Sequence, residues 1–211
     1  MADRQQRMST QSVSWEVEET DDPISGRITQ VDESTIKLPG GTTIEYGAVS
    51  LRGYYPDDPE KANQDSHVCI ADFNAAAKHG ANGGGEPLLK RSFFGVFDGH
   101  GACGDHVSRF VRDTLPGQLL KALRECDGDV GRAYREAFLR TDKLTDLKRE
   151  IKDEMSGTTA VVVMIEDDMM YIANVGDSRI IIGQRKGARA TPRRARRVHS
   201  SPLRTPSGHL G

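Results

Sequence analysis

The sequence predicts an α+β fold. Short apolar runs of strand character come first, two segments of helical periodicity follow, and strand runs return after them. Strand runs flanking a helical pair argue α+β. With 211 residues the chain is long enough for one domain with a proper core. Apolar content of 36% and charged content of 28% fit a protein with sizeable polar segments, and no internal repeat is evident. No apolar run approaches the length of a membrane span, and the polar start Met1-Ala2-Asp3-Arg4-Gln5-Gln6 does not read as a signal peptide.

Each element has a local reason. Residues 1–41 are polar, with an acidic patch at 16–22, and read as a flexible extension in which Trp15 and Val17 are the docking candidates. Residues 44–51 alternate as a strand does. Tyr54-Tyr55-Pro56-Asp57-Asp58-Pro59 is rich in turn formers. Residues 68–71 and 93–97 read as buried strands, and 74–87, with Gly83-Gly84-Gly85, as a surface loop between them. From Asp105, the residues Val107, Phe110, Val111 and Leu115 recur at helical spacing. Pro116 interrupts the pattern, and Leu119, Leu120 and Leu123 continue it. A second helix is predicted over 129–152, with Ala133, Ala137, Phe138, Leu144 and Leu147 on one face. Residues 159–165 form a nearly continuous apolar run, Glu166-Asp167-Asp168 turns the chain, and 170–175 answers as the second arm of a hairpin. Arg179-Ile180-Ile181-Ile182 reads as one more strand.

Charge is unevenly distributed. From Gly183 onward there are eight Lys/Arg and no Asp/Glu, which leaves 21 against 31 in the preceding residues. An acidic body therefore carries a basic tail. Cys69, Cys103 and Cys126 lack metal-ligand spacing and read as reduced thiols.

The most informative stretch is Phe97-Asp98-Gly99-His100-Gly101, directly after a buried strand. It places a carboxylate at the rim of a sheet, beside glycines that let backbone approach closely. Oxygen ligands of this kind suit Mg²⁺ or Mn²⁺. Alone, the pentapeptide reads equally well as an ordinary strand-to-helix turn. Two further segments share the pattern. Lys61-Ala62-Asn63-Gln64-Asp65-Ser66 heads the strand before it. Ser156-Gly157-Thr158-Thr159 opens the apolar run after it, which leads on to Asn174-Val175-Gly176-Asp177-Ser178-Arg179. In this order and spacing the three resemble the PPM-type (type 2C) metal-dependent protein serine/threonine phosphatases, in the form of the plant and algal branch. The resemblance covers about residues 44–183.

It implies a sandwich of two antiparallel sheets with helices packed outside. It also implies hydrolysis of phosphoserine and phosphothreonine in phosphorylated protein substrates by a metal-activated water, with two Mg²⁺ or Mn²⁺ ions as cofactors. Such a pair lies roughly 3.5–4 Å apart and needs carboxylates from several strands. The family pattern implies that Asp98 bridges the ions, that Gly99 ligates through its carbonyl, and that Asp65 serves the same centre. Gln64 departs from an acidic position and brings no charge, although an amide can hold a metal-bound water. His100 matches the candidate general acid, the alternative being a histidine that fixes the turn. Asp177 matches a further metal position or closes an Asx-type turn. Where many members carry a phosphate-binding arginine this chain has Glu60, with Lys61 and Arg52 nearby, so that residue stays unassigned. Ser156, Thr158 and Thr159 read as fold residues and not nucleophiles. His67, His79 and His106 read as surface or supporting residues.

The resulting organisation is a polar extension (1–41), the N-terminal part of a domain of this kind (42–183) and a basic, disordered tail (184–211). The family pattern continues beyond Gly183 with further strands and two more aspartates. Here the Arg-rich run reads instead as an altered frame, a splice variant or a truncated gene model. That run is similar to a nuclear import signal, or is a plain solvated tail. Location in the cytoplasm or nucleus follows as an expectation, with neither a membrane nor nucleic acid among the expected partners. The alternative function is a catalytically impaired relative or regulatory fragment that binds phosphoproteins or other partners.

Overall fold

The computed structural model describes residues 28–37, 43–74, 91–148, 151, 155–167, 169–183 and 194–199. Predicted features at 1–27, 75–90, 184–193 and 200–211 lie outside them. In chain order the elements are β1 (Ile28–Lys37), β2 (Thr43–Leu51), β3 (Ser66–Ile70), β4 (Arg91–Phe97), β5 (Gly99–His100), α1 (Gly104–Glu125), α2 (Val130–Asp146), β6 (Gly157–Thr158), β7 (Ala160–Glu166), β8 (Met169–Val175) and β9 (Arg194–His199). The class is α+β, as the sequence predicts.

A five-stranded sheet of order β3-β4-β7-β8-β9 divides the structure into layers. Alternation along the strands separates its faces. Phe93, Phe97, Val162, Met164 and Ala173 face the helices and join Val107, Val111, Leu115, Leu119 and Ala122 of α1 with Ala133, Tyr134 and Ala137 of α2 in the main core. Each fully buried large side chain there contributes about 1.5–3 kcal/mol. Ile165, Val163, Phe94 and Met170 face the other way and pack against Ile36, Ile44 and Tyr46 of the antiparallel β1–β2 hairpin. Beyond the hairpin this face opens as a groove of about 470 Å³, lined by Val161, Ile172 and the run Ile180, Ile181, Ile182 among others.

Several expectations are corrected. The predicted polar extension contains β1, which pairs with β2 through the backbone and buries Ile36. Among the described residues the second layer is only this hairpin. Pro116 does not divide α1, which runs unbroken past it. The pyrrolidine lacks only one N–H and is itself buried, so packing offsets the lost bond. α2 ends at Asp146, before the predicted 152. Leu144 and Leu147 are exposed, because Thr141 is its last buried residue. Residues 179–182 pair with no strand among the described residues, and Ile181 is 90% exposed. The free edge of β8 is taken by β9 instead, in parallel, from within the tail predicted to be disordered. Pairing satisfies the N–H and C=O groups along β8.

α2 begins at Asp129, whose Oδ1 accepts from the Arg132 N–H at 3.1 Å. Asp129→Ala removes that cap and should cost about 1 kcal/mol. Urea denaturation followed by circular dichroism would read it, and an unchanged midpoint would show that the cap contributes nothing.

Candidate metal centre

Strand register builds the site. Ser66 of β3 pairs with Phe97 of β4, so Asp65 and Asp98 stand one step beyond, at the same end of two neighbouring strands. Both are exposed at this rim. Their carboxyls come within hydrogen-bonding reach of one another. Although the residue as a whole is exposed, partial burial of its carboxyl holds Asp65 above the usual carboxylate range, and the charge and hydrogen bond of Asp98 add to the rise. Neither carboxylate has a Lys or Arg partner among the described residues.

Such a pair fits a divalent cation. Two carboxylates close enough to repel are stabilised by a hard cation between them, and Mg²⁺ is commonly held by one or two carboxylates plus water and substrate phosphate. Among the described residues no group of three or more His, Cys, Asp or Glu side chains could hold an ion unaided. The carboxylate pair would therefore need backbone oxygens or water to complete a cation's shell.

Close backbone packing keeps the rim in shape. Gly99 is buried between two chain segments. A Cβ there would lie 2.3 Å from the Gly104 carbonyl oxygen and 2.5 Å from that of Gln64. Gln64 acts as a strut, its Nε2 donating to the Gly101 carbonyl at 2.6 Å. The amide nitrogen thus braces the backbone of the Gly-His-Gly turn. The Gln64 carbonyl accepts from Ser108 Oγ of α1 at 2.6 Å. The Asp65 N–H donates to Asn63 Oδ1 at 3.1 Å, and Asn63 Nδ2 donates to Ser50 Oγ at 2.8 Å, which ties β2 to the approach to Asp65.

The remaining candidates fall into place around this pair. His100 is exposed, and its ring packs over Gly157, where a Cβ would lie 2.7 Å from Nε2. Asp177 lies in the exposed turn after β8, where Asn174 Nδ2 donates to the Ser178 carbonyl at 3.0 Å. It is not the neighbour that raises Asp65; Asp98 is. Arg52 pairs with Glu60 at 3.9 Å, and Lys61 Nζ sits 3.9 Å from the centroid of the Tyr55 ring, so both cations lie on the segment leading to Asp65. His67 is buried in β3, where it pairs with Val96, and so is not a surface residue. His106 is exposed, and His79 is outside the described residues.

Ser156, Thr158 and Thr159 hold the motif, a role their place in a strand pattern does not announce. Ser156 Oγ accepts from the Cys103 N–H at 2.8 Å, and Thr158 Oγ1 donates to the Asp98 carbonyl at 3.1 Å. Their one local signal is the cluster of small residues around Gly157.

The fold and rim define an α+β protein with an acidic site where neighbouring strands end. The family model described as protein phosphatase 2C matches residues 57–199, beyond the Gly183 limit read from sequence, and the chain belongs to that family of metal-dependent protein serine/threonine phosphatases. The chain is 41% identical over 138 residues to "Probable protein phosphatase 2C 35" of Arabidopsis thaliana, covering 65% of this chain and 35% of that protein. It is 32% identical over 149 residues to "Protein phosphatase 2C homolog 2" of Schizosaccharomyces pombe, covering 70% and 36%. The crystal structure of serine-threonine phosphatase 2C from Toxoplasma gondii aligns with a TM-score of 0.38 at 16% identity, over 64% of this chain and 43% of that one. The chain thus spans about a third of the length of the two curated relatives. No helix among the described residues is long and apolar enough to cross a membrane.

Proposed function

We propose that this protein hydrolyses phosphoserine and phosphothreonine in protein substrates, with Asp65, Asp98 and the Gly99 carbonyl holding Mg²⁺ or Mn²⁺. The observation that carries the reading is the Asp65–Asp98 carboxylate pair at the rim of β3 and β4, with no Lys or Arg partner among the described residues, in a chain of this family. Two ions are proposed, which Asp65, Asp98, the Gly99 carbonyl and Asp177 would hold. Bound divalent ions would lower the pKa of water and neutralise charge on phosphoryl oxygens.

The chain's own residues do the rest. Asp98 brings negative charge to the rim on a backbone fixed at both its N–H and its C=O. His100, exposed beside the pair, gives its proton to the departing seryl or threonyl oxygen. The site lies open at a strand end, so a phosphorylated side chain on a protein surface can reach it. A location in cytosol or nucleus belongs to the same proposal.

The leaving group tests it. An alkoxide needs protonation as it departs, and an aryloxide needs far less. With Mn²⁺ present, His100→Asn should slow hydrolysis of a phosphothreonine peptide by about 10²-fold, and of an aryl phosphate by much less. Equal losses on both substrates would remove His100 as the acid. No Mn²⁺-dependent hydrolysis by folded protein that binds Mn²⁺ would overturn the phosphatase reading.

A further inference from the structure

We propose that Thr159 is a positioning residue that couples Asp98 to the Asp177 turn, so that one side chain sets how two acidic segments from different strands meet a divalent ion. The inference rests on the metal reading above and extends it to a residue that carries no charge.

The register places Thr159 between the two segments. Val96 pairs with Val161, so Thr159 lies beside Asp98, two steps further along the same strands. Ala160 pairs with Val175, so Thr159 lies beside Gly176 on its other side. Asp65, Asp98, Thr159 and Gly176 therefore follow one another across the rim of four adjacent strands.

The contacts are specific. The Thr159 N–H donates to the Asp98 carbonyl at 2.8 Å. Its Oγ1 accepts from the Asp98 N–H at 3.1 Å, so Thr159 holds both polar backbone groups of that residue. The same Oγ1 is 2.5 Å from Ser178 Oγ. Its methyl faces Gly176, where a Cβ would lie 2.7 Å from Cγ2. Gly176 has φ +95°, a conformation that side-chain-bearing residues rarely adopt. One buried threonine thus grips the residues on both sides of Asp177 while gripping the backbone of Asp98. Serine would keep the hydroxyl bonds. Valine would keep the shape and lose them.

Mn²⁺ alone is the probe, and the free ion is counted by electron paramagnetic resonance in solutions of the full chain. Asp98→Asn is the reference, because its failure to weaken binding would sink the metal reading itself. Given that weakening, Thr159→Val should raise the Mn²⁺ dissociation constant about tenfold, the scale for losing a group that orients a ligand. Thr159→Ser should stay within about threefold of the parent. In an Asp177→Asn background Thr159→Val should cost less than about twofold, because the partner it positions is gone. A full tenfold loss in that background, or affinity unchanged in Thr159→Val while its thermal midpoint falls, would reduce Thr159 to a structural residue and overturn the proposal. Should Thr159→Val fail to fold, Ser178→Ala is read through the same cycle, with the same non-additivity required.

Discussion

Asp98→Asn should raise the thermal midpoint of the metal-free protein and remove the stabilisation that Mn²⁺ confers on it. The two effects have opposite signs and one cause. Without an ion, Asp98 lies against Asp65, whose carboxyl is held high first by burial and then by that neighbour. Asparagine removes the repelling charge and leaves the burial. With an ion, the same charge is what binds it. At about a hundred times its dissociation constant, a ligand specific to the native state stabilises by about 2.7 kcal/mol. In Asp98→Asn that increment should largely vanish, and hydrolysis should fall by about 10²-fold or more, the scale for removing a group that supports transition-state charge. The pH dependence separates the parts. Asp65 has a folded-state pKa above its unfolded value of 3.8. Between the two values the native state holds more protons, so stability falls as pH rises through that window and is flat above it. Metal-free parent protein should show this fall, and Asp98→Asn a shallower one. Calorimetric scans with and without Mn²⁺, repeated from pH 4 upward, give all of these quantities. An undiminished Mn²⁺ shift in Asp98→Asn would take Asp98 out of the metal site.

What the sequence shows of this architecture follows the range of each interaction. Residues 93–97 and 159–165 announce buried strands because both faces of β4 and β7 are covered, and the pattern is local. Asp98 and Asp65 were legible because each sits one residue outside a strand that is itself legible. β1 is hidden in a polar stretch, since pairing with β2 is made by backbone groups that leave no local apolar pattern. The Ile180-Ile181-Ile182 run has strand propensity, but the edge it would need is occupied by β9, and competition for an edge is not encoded locally. Thr159 is the sharpest case. Its bonds to Asp98 span some 60 residues of chain, and nothing in Ser-Gly-Thr-Thr distinguishes a residue that ties two loops together from one that only starts a strand.

Gly99→Ala should be among the most damaging glycine-to-alanine changes at the described residues. The added carbon would meet the Gly104 carbonyl oxygen at 2.3 Å, the Gln64 carbonyl oxygen at 2.5 Å and the Gly104 carbonyl carbon at 2.7 Å. All three are backbone atoms, so no rotamer change relieves the overlap. Gln64 and Gly104 must move apart, yet the Ser108 hydroxyl holds the Gln64 carbonyl to the first turns of α1. Overpacking of this kind costs about 3 kcal/mol. It also reaches the site, because Gln64 precedes Asp65 and any displacement moves that carboxylate relative to Asp98. Stability and Mn²⁺ affinity should therefore fall together. Gly117→Ala is the matched control. It adds the same methyl in the exposed interior of α1, where no atom lies within 4 Å of the new carbon, and should stabilise by about 1 kcal/mol through helix propensity alone. Urea midpoints and Mn²⁺ titrations of the two variants decide the matter. A Gly99→Ala protein as stable as the parent would mean that the backbones of Gln64 and Gly104 do not meet at Gly99. A destabilised one that keeps full Mn²⁺ affinity would mean that the close approach supports the fold without setting the geometry of the carboxylate pair.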